Sequence, residues 1–214
     1  MLELKNITYQ HQTGNKKILN KLNLKIKEND FGLIYGSSGS GKTTLLEIIS
    51  GLNNQQYGEI FWRGKSLSSR QRRWNCGVVF QFPERYFIGS TIGAELKFGH
   101  KSLKGKEISN ALLKVGLSKV RLTMAPEKLS GGEQRRLAVA VQLLRNPDII
   151  LFDEPTAGLD WSMKNDVKVL IKGLKKTTTI IVVSHEPKIF EDLTSNIFSL
   201  EKGRLNIING QKID

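Results

Sequence analysis

The chain has 214 residues, 39% hydrophobic and 25% charged, the balance of a soluble globular protein long enough for one α/β unit with an inserted subdomain. Its 33 Lys and Arg against 20 Asp and Glu leave a net charge of +13, which suits nucleic acid, an anionic membrane surface or simply a lysine-rich exterior. No apolar run is long enough to span a membrane, the N-terminus lacks a signal-peptide pattern, and a lone Cys76 excludes an internal disulfide and fits a reducing compartment.

Residues 2–9 and 18–27 alternate apolar and polar side chains, the period of two half-exposed antiparallel strands. "FGLIY" (31–35) is a short apolar run leading into Gly36, a buried strand, and "KTTLLEIIS" has helical period ending at Gly51. Two basic clusters stand out, Arg63, Lys65, Arg70, Arg72 and Arg73, then Lys97, Lys101, Lys104 and Lys106. Neither interleaves aromatics at a spacing suited to stacked bases. "GVVFQF" (77–82) reads as a buried strand closed by Pro83, and 84–145 as mostly helical. Strands "DIILFD" and "TTTIIVVS" follow, separated by a helix over about 162–176, and "NIFSLEKGRLNIING" reads as a hairpin. Strands alternating with helices imply a mainly parallel sheet covered on both faces.

"GSSGSGKT", Gly36, Ser37, Ser38, Gly39, Ser40, Gly41, Lys42 and Thr43, fits G-x-x-x-x-G-K-[ST] between a predicted strand and a predicted helix, the context that confirms a phosphate cradle. The glycines let backbone N–H groups converge, the helix N-terminus adds positive potential, Lys42 reaches the β and γ phosphates and Thr43 can hold Mg²⁺; Thr44 closes the motif. The chain is therefore expected to bind a nucleoside triphosphate. The fold class that follows is α/β, a P-loop nucleotide triphosphatase with an N-terminal antiparallel β subdomain and an inserted helical subdomain.

Hydrolysis needs acids at a neighbouring strand end, and "IILFDEP" offers Asp153 for the Mg²⁺ shell and Glu154 to orient and deprotonate water. His185 emerges from the next strand, "TIIVVS", on the same edge, within reach of the γ-phosphate. Gln81, ending "GVVFQ", can offer an amide to metal or water.

A second glycine turn, "LSGGEQRR", raises a different question. Ser130 and Glu133 form a capping box for a helix running to about Arg145, but a cap does not require Gly131 and Gly132, which cost backbone entropy. Adjacent glycines at a helix start admit close approach by an anion. Two phosphate turns with one lysine and one carboxylate pair are reconciled if the second turn covers the phosphate held by another copy's cradle.

These motifs, in this order and across nearly the whole chain, resemble the ATP-binding-cassette (ABC) ATPases. Gly36–Thr43 is similar to their Walker A, Asp153–Glu154 to Walker B, Gln81 to the Q-loop, "LSGGEQRR" to the signature, "AGLD" (157–160) to the D-loop and His185 to the switch histidine. The resemblance implies a head-to-tail dimer with two ATP molecules, each held by one chain's Walker A and the other's Ser130, Gly131 and Gly132. It implies residues 1–214 as one ATPase unit, with 1–83 and 146–214 as the α/β core and β subdomain and 84–145 as the helical insertion. "FQFPERYFIGSTIGAELKFG" (80–99) is similar to the ATPases of energy-coupling-factor importers.

Three departures follow. The family's adenine-stacking aromatic falls on His11, with Tyr9 two residues earlier, so looser adenine selectivity is expected. Trp161 stands where members often carry proline. The chain also lacks the extra C-terminal region that many energy-coupling-factor ATPases use to dimerise, so dimerisation is expected to need ATP. The leading expectation is the ATPase subunit of a membrane importer, peripheral on the cytoplasmic side, partnered by a second cassette chain, identical or paralogous, and a transmembrane subunit. Nucleic acid is not an expected partner, because the coiled-coil insertions, zinc fingers and tandem units of nucleic-acid-linked cassettes are missing. The alternative is a soluble non-transport cassette ATPase, for iron–sulfur assembly or linked to nucleic acid.

Overall fold

The computed structural model describes residues 1–11, 14, 16–194 and 196–208. β1 (Leu2–Gln10) runs antiparallel to β2 (Lys17–Ile26), with Leu2 opposite Ile26 and Leu4 opposite Leu24. Asn6 takes a φ of 52°, and the register shifts between Leu4 and Ile7, so the buried face changes from Leu2 and Leu4 to Ile7 and Tyr9. β4 (Tyr57–Trp62) lies on the other side of β1 and carries the short β5 (Lys65–Ser66), giving the order β2-β1-β4-β5. The sequence reading did not anticipate these two strands, since only Ile60 and Trp62 mark the buried face of β4.

The second sheet has the order β10-β9-β3-β8-β7-β6: β3 (Phe31–Tyr35), β6 (Cys76–Val79), β7 (Ile149–Asp153), β8 (Thr179–Ser184), β9 (Asn196–Glu201) and β10 (Arg204–Ile208). Every pairing from β9 to β6 is parallel, and only β10 turns back, as the expected hairpin. Alternate residues feed two cores. Ile150, Phe152, Ile180 and Val182 face one layer of helices, while Ile149, Leu151, Ile181 and Val183 pack with the β1–β2–β4 sheet and with α1 (Lys42–Ser50). Burial on both faces is why these strands read as unbroken apolar runs.

The stretch expected to be mostly helical contains three α-helices, α3 (Ile92–Lys97), α4 (Gly105–Lys114) and α5 (Gly131–Leu144), with short 3-10 turns at Pro83–Tyr86 and Pro126–Lys128 and loops between them. Their apolar faces, including Ile92, Leu96, Ile108, Leu112, Leu137 and Val139, join the first core, as does Ile171 of α6 (Trp161–Leu174).

Two expectations are corrected. β6 ends at Val79, so Gln81 stands beyond the strand rather than at its last position. The ladder with β7 stops at Val79 and Phe152, because β7 turns away immediately after Asp153. Arg72 does not belong to a solvated basic cluster. It is buried on α2 (Ser69–Asn75), a helix also not anticipated, and donates to Leu67 O at 2.9 Å and Gln55 Oε1 at 3.2 Å. Cys76 is a buried free thiol, and burial pushes its pKa up to about 12.

Candidate nucleotide site

Three parallel neighbours, β3, β8 and β7, end side by side, with Tyr35 opposite Ser184 and Val183 opposite Asp153. The loops leaving those ends open one crevice at the carboxyl edge of the sheet, the place where such sheets bind ligands. The crevice measures about 680 Å³, and Ser38, Gly39, Lys42, Gln81, Glu154 and His185 are among its lining residues. Gly41, Thr43 and Thr44 line it too, joined by Ile18 from β2, which the sequence reading missed.

Gly39 and Gly41 take φ values of 75° and 103°, in the left-handed region that favours glycine. Gly41 precedes α1 without any side-chain cap, so the first N–H groups of that helix remain for a ligand. Gly36 is needed for another reason. A Cβ there would lie 2.4 Å from Leu200 O and 2.8 Å from Ser40 Oγ. Gly36→Ala should therefore strain the contact between the cradle and β9 and destabilise the protein by about 1–3 kcal/mol. A urea titration checks this, with a lower midpoint at unchanged slope as the expected result.

Lys42 is only 8% exposed, and its Nζ donates to Gly36 O at 2.7 Å and Ser37 O at 3.1 Å. It also lies 3.5 Å from Glu154 Oε1. Glu154 has a φ of 47°, uncommon for a residue with a side chain and a form of strain found at functional sites. Its N–H donates to Val183 O at 2.9 Å, pinning the turn, and Oε2 accepts from His185 N–H at 2.9 Å. The same oxygen lies 2.6 Å from His185 Nδ1. A carboxylate only accepts, so Nδ1 carries the proton and Nε2 is the ring nitrogen left for a ligand. Sequence spacing put Glu154 and His185 on one edge; the structure joins them directly.

Thr43 Oγ1 donates to Asp153 Oδ2 at 2.8 Å. Burial pushes the Asp153 carboxyl above its usual range, partly offset by that hydrogen bond. A buried carboxylate bonded to the Thr43 hydroxyl, in a crevice that Gln81 also lines, offers oxygen donors that suit a hard cation such as Mg²⁺ completed by phosphate oxygens. Among the described residues no group of three or more His, Cys, Asp or Glu is placed to hold a metal by itself, so phosphate would have to complete the shell.

The second turn lies elsewhere. Ser130 N–H donates to Glu133 Oε2 at 2.8 Å, and Ser130 Oγ caps Glu133 N, closing the expected box at the start of α5. Ser130 and Gly131 are exposed, and neither they nor Gly132 line the crevice. A Cβ on Gly131 would meet no atom within 4 Å, and one on Gly132 would only graze Met163 at 3.8 Å. No contact among the described residues requires glycine there.

His11 is exposed past the end of β1, edge-on to Tyr9 with ring centroids 5.5 Å apart, and does not line the crevice. Tyr9 is buried and its hydroxyl accepts from Asn53 Nδ2 at 2.9 Å, so it offers no stacking face. Asp160 caps α6 through Met163 N at 2.9 Å, and Trp161 behind it is 81% exposed.

Residues 19–157 match the ABC transporter family. The chain belongs to that family. This ABC chain is 38% identical over 218 residues to ABC transporter I family member 11, chloroplastic, of Arabidopsis thaliana, covering 94% of this chain and 78% of that one. It is 34% identical to energy-coupling factor transporter ATP-binding protein EcfA1 of Mycoplasma mobile, covering 87% and 72%. It is 36% identical to lipoprotein-releasing system ATP-binding protein LolD of Wigglesworthia glossinidia brevipalpis, covering 96% of each. The dimeric post-hydrolysis structure of the ATP-binding cassette MJ0796, bound to ADP and phosphate, superposes with a TM-score of 0.82 at 30% identity, over 99% of this chain and all of that one. The fold is that of an ABC ATPase, and the chain is an ATP-binding, ATP-hydrolysing transporter cassette.

Proposed function

We propose that this ABC ATPase powers an energy-coupling-factor-like importer as one half of a head-to-tail dimer with two interfacial ATP sites. The observation that carries the dimer is the separation of the two glycine turns. Gly39, Gly41, Lys42 and Thr43 line the crevice with Glu154 and His185, while Ser130–Gly132 stands outside it, with glycines that no described residue requires. A second cassette's nucleotide accounts for those glycines, and a two-fold pair forms both sites at once. That the similar cassette MJ0796 is dimeric with ADP and phosphate bound supports a paired chain.

In this reading Lys42 and the N-terminus of α1 hold the β and γ phosphates, and Ser130, Gly131 and Gly132 of the other chain close over them. Thr43, Asp153 and Gln81 would hold Mg²⁺, which when bound neutralises phosphate charge. Glu154 takes the proton of the attacking water, and His185, oriented by Glu154 through Nδ1, faces the γ-phosphate with Nε2, which donates to it in the imidazolium form. His11 stacks on adenine from the rim. Residues 84–145 serve as the helical insertion within a single ATPase unit.

The importer assignment rests on the likeness of 80–99 to energy-coupling-factor ATPases and on the EcfA1 relative. An apolar recess of about 110 Å³ supports docking of a membrane subunit; Phe80, Pro83, Tyr86 and Ala138 are among its lining. Tyr86, Ile88 and Phe98 leave further apolar surface exposed on the same chain segment. No helix among the described residues is long and apolar enough to cross a membrane, so the chain would attach peripherally at the cytoplasmic face through such a subunit. The LolD relative points to a transporter of another kind. Affinity purification of the tagged chain from its native membranes, with mass spectrometry of the partners, separates them. A second cassette ATPase and a multi-span subunit together with a substrate-capture membrane protein are expected. Recovery without any multi-span partner would defeat the transporter role, and a lipoprotein-releasing partner set would defeat the importer.

A further inference from the structure

Arg135, on the second turn of α5, is 8% exposed and makes no ion pair with any carboxylate among the described residues. Its guanidinium instead reaches two loops of the crevice. Nη2 donates to Ala157 O and, at 3.3 Å, to Gln81 O, while Nε is buried with no hydrogen-bond partner. Removing an unpaired cation from water is unfavourable, so a buried arginine spent on two backbone carbonyls calls for a reason beyond stability.

Its position supplies one. Gln81 lines the crevice, and Ala157 N–H donates to Glu154 O at 3.1 Å, so the two carbonyls belong to segments that carry hydrolytic groups. The same helix is capped by Ser130, five residues before Arg135, and starts with Gly131 and Gly132. α5 is a continuous helix, and a shift of its first turn moves the guanidinium with it.

We propose that Arg135 is a positioning residue that ties the Ser130–Gly132 turn to Gln81 and to the loop after Glu154, so that ATP seated against the turn sets the hydrolytic groups in this chain's own crevice. The proposal rests on the split-site reading above. It makes each nucleotide site report its occupancy to the other through one side chain.

The test uses Arg135→Met, which keeps the volume and removes the donors, and Arg135→Lys, which keeps the charge but ends one atom short of Nη2, the nitrogen that serves both carbonyls. ATP affinity without Mg²⁺, steady-state kcat, and the Hill coefficient for ATP are measured on each. Both variants should bind ATP within about three-fold of wild type, since the cradle is untouched. The kcat of Arg135→Met should fall about 10- to 100-fold, the scale of a misplaced catalytic group. The Hill coefficient should drop toward one, with Arg135→Lys intermediate in kcat. Wild-type kcat and Hill coefficient, or a kcat loss matched by an equal loss of affinity, would overturn the tie. If the Met variant does not fold, the same criteria apply to the Lys variant. Glu154→Gln measured alongside separates the two ideas. If that variant stays a monomer at saturating ATP and Mg²⁺, the split-site reading fails; if it dimerises with ATP while Arg135→Met keeps the wild-type kcat and Hill coefficient, only the tie fails.

Discussion

Glu154→Gln is expected to slow ATP hydrolysis about 10²–10⁴-fold while leaving ATP binding intact, the usual worth of a positioned general base. The amide has almost the shape of the carboxylate, so its oxygen can still accept from His185 N–H, now 2.9 Å from Oε2. The backbone at φ 47° is not relieved, because the substitution leaves a side chain in place. What disappears is the capacity to take a proton from water and the negative charge 3.5 Å from Lys42 Nζ. Losing that charge leaves Lys42 freer to face phosphate, so affinity should hold or rise. Unhydrolysed ATP would then persist between two chains, and the variant should elute as a dimer in ATP and Mg²⁺ and as a monomer without nucleotide. Single-turnover hydrolysis and size exclusion on one preparation check both halves. Near-normal turnover would remove Glu154 from its role as base, and a monomer at saturating ATP would count against a shared site formed by two copies.

How much of this was legible beforehand depended on where the information lay. β3, β7 and β8 are buried on both faces, so their apolar runs and the glycines and acids at their ends were plain in the sequence. The cradle was legible for the same reason, a strand, a glycine loop and a helix in immediate succession. β4 was not, because it pairs with β1, some fifty residues earlier in the chain, and shows only two buried side chains. The end of β6 was misplaced because apolar Phe80 and Phe82 continue the pattern after the ladder has stopped. A side chain's partner is a tertiary fact. Arg72 counted as surface charge until Leu67 and Gln55 were seen around it. Arg135 meets Gln81 and Ala157 only across loops distant in the chain, and the contact of Glu154 with His185 needed the strand order. Spacing within the chain carried the local motifs, and distances across the sheet carried what joins them.

Mixing two inactive variants should recover an intact site. Ser130→Arg places a long cation on a turn that is now open, with no atom within 4 Å of an added Cβ on the neighbouring Gly131. It also removes a helix cap, at a cost of about 1 kcal/mol, so its melting temperature is measured first. Lys42→Ala removes the charge that Gly36 O and Ser37 O now hold at 2.7 Å and 3.1 Å. Each homodimer then carries one defect in every site and should be inactive. In a mixed head-to-tail dimer the defects sort unequally. One site combines the damaged cradle with the damaged turn, and the other combines intact Lys42 with intact Ser130. Occlusion of about one ATP per mixed dimer is expected, from none in either parent, even if turnover requires two working sites. If each turn served its own chain's nucleotide, every site in every combination would keep a defect. The assay mixes separately purified proteins, confirms subunit exchange with differently sized tags, and measures ATP retained after rapid gel filtration. Exchange without recovered occlusion would reject the split site, and recovered occlusion that rises with the mixed-dimer fraction would establish that the turn at Ser130–Gly132 works on the partner's ATP.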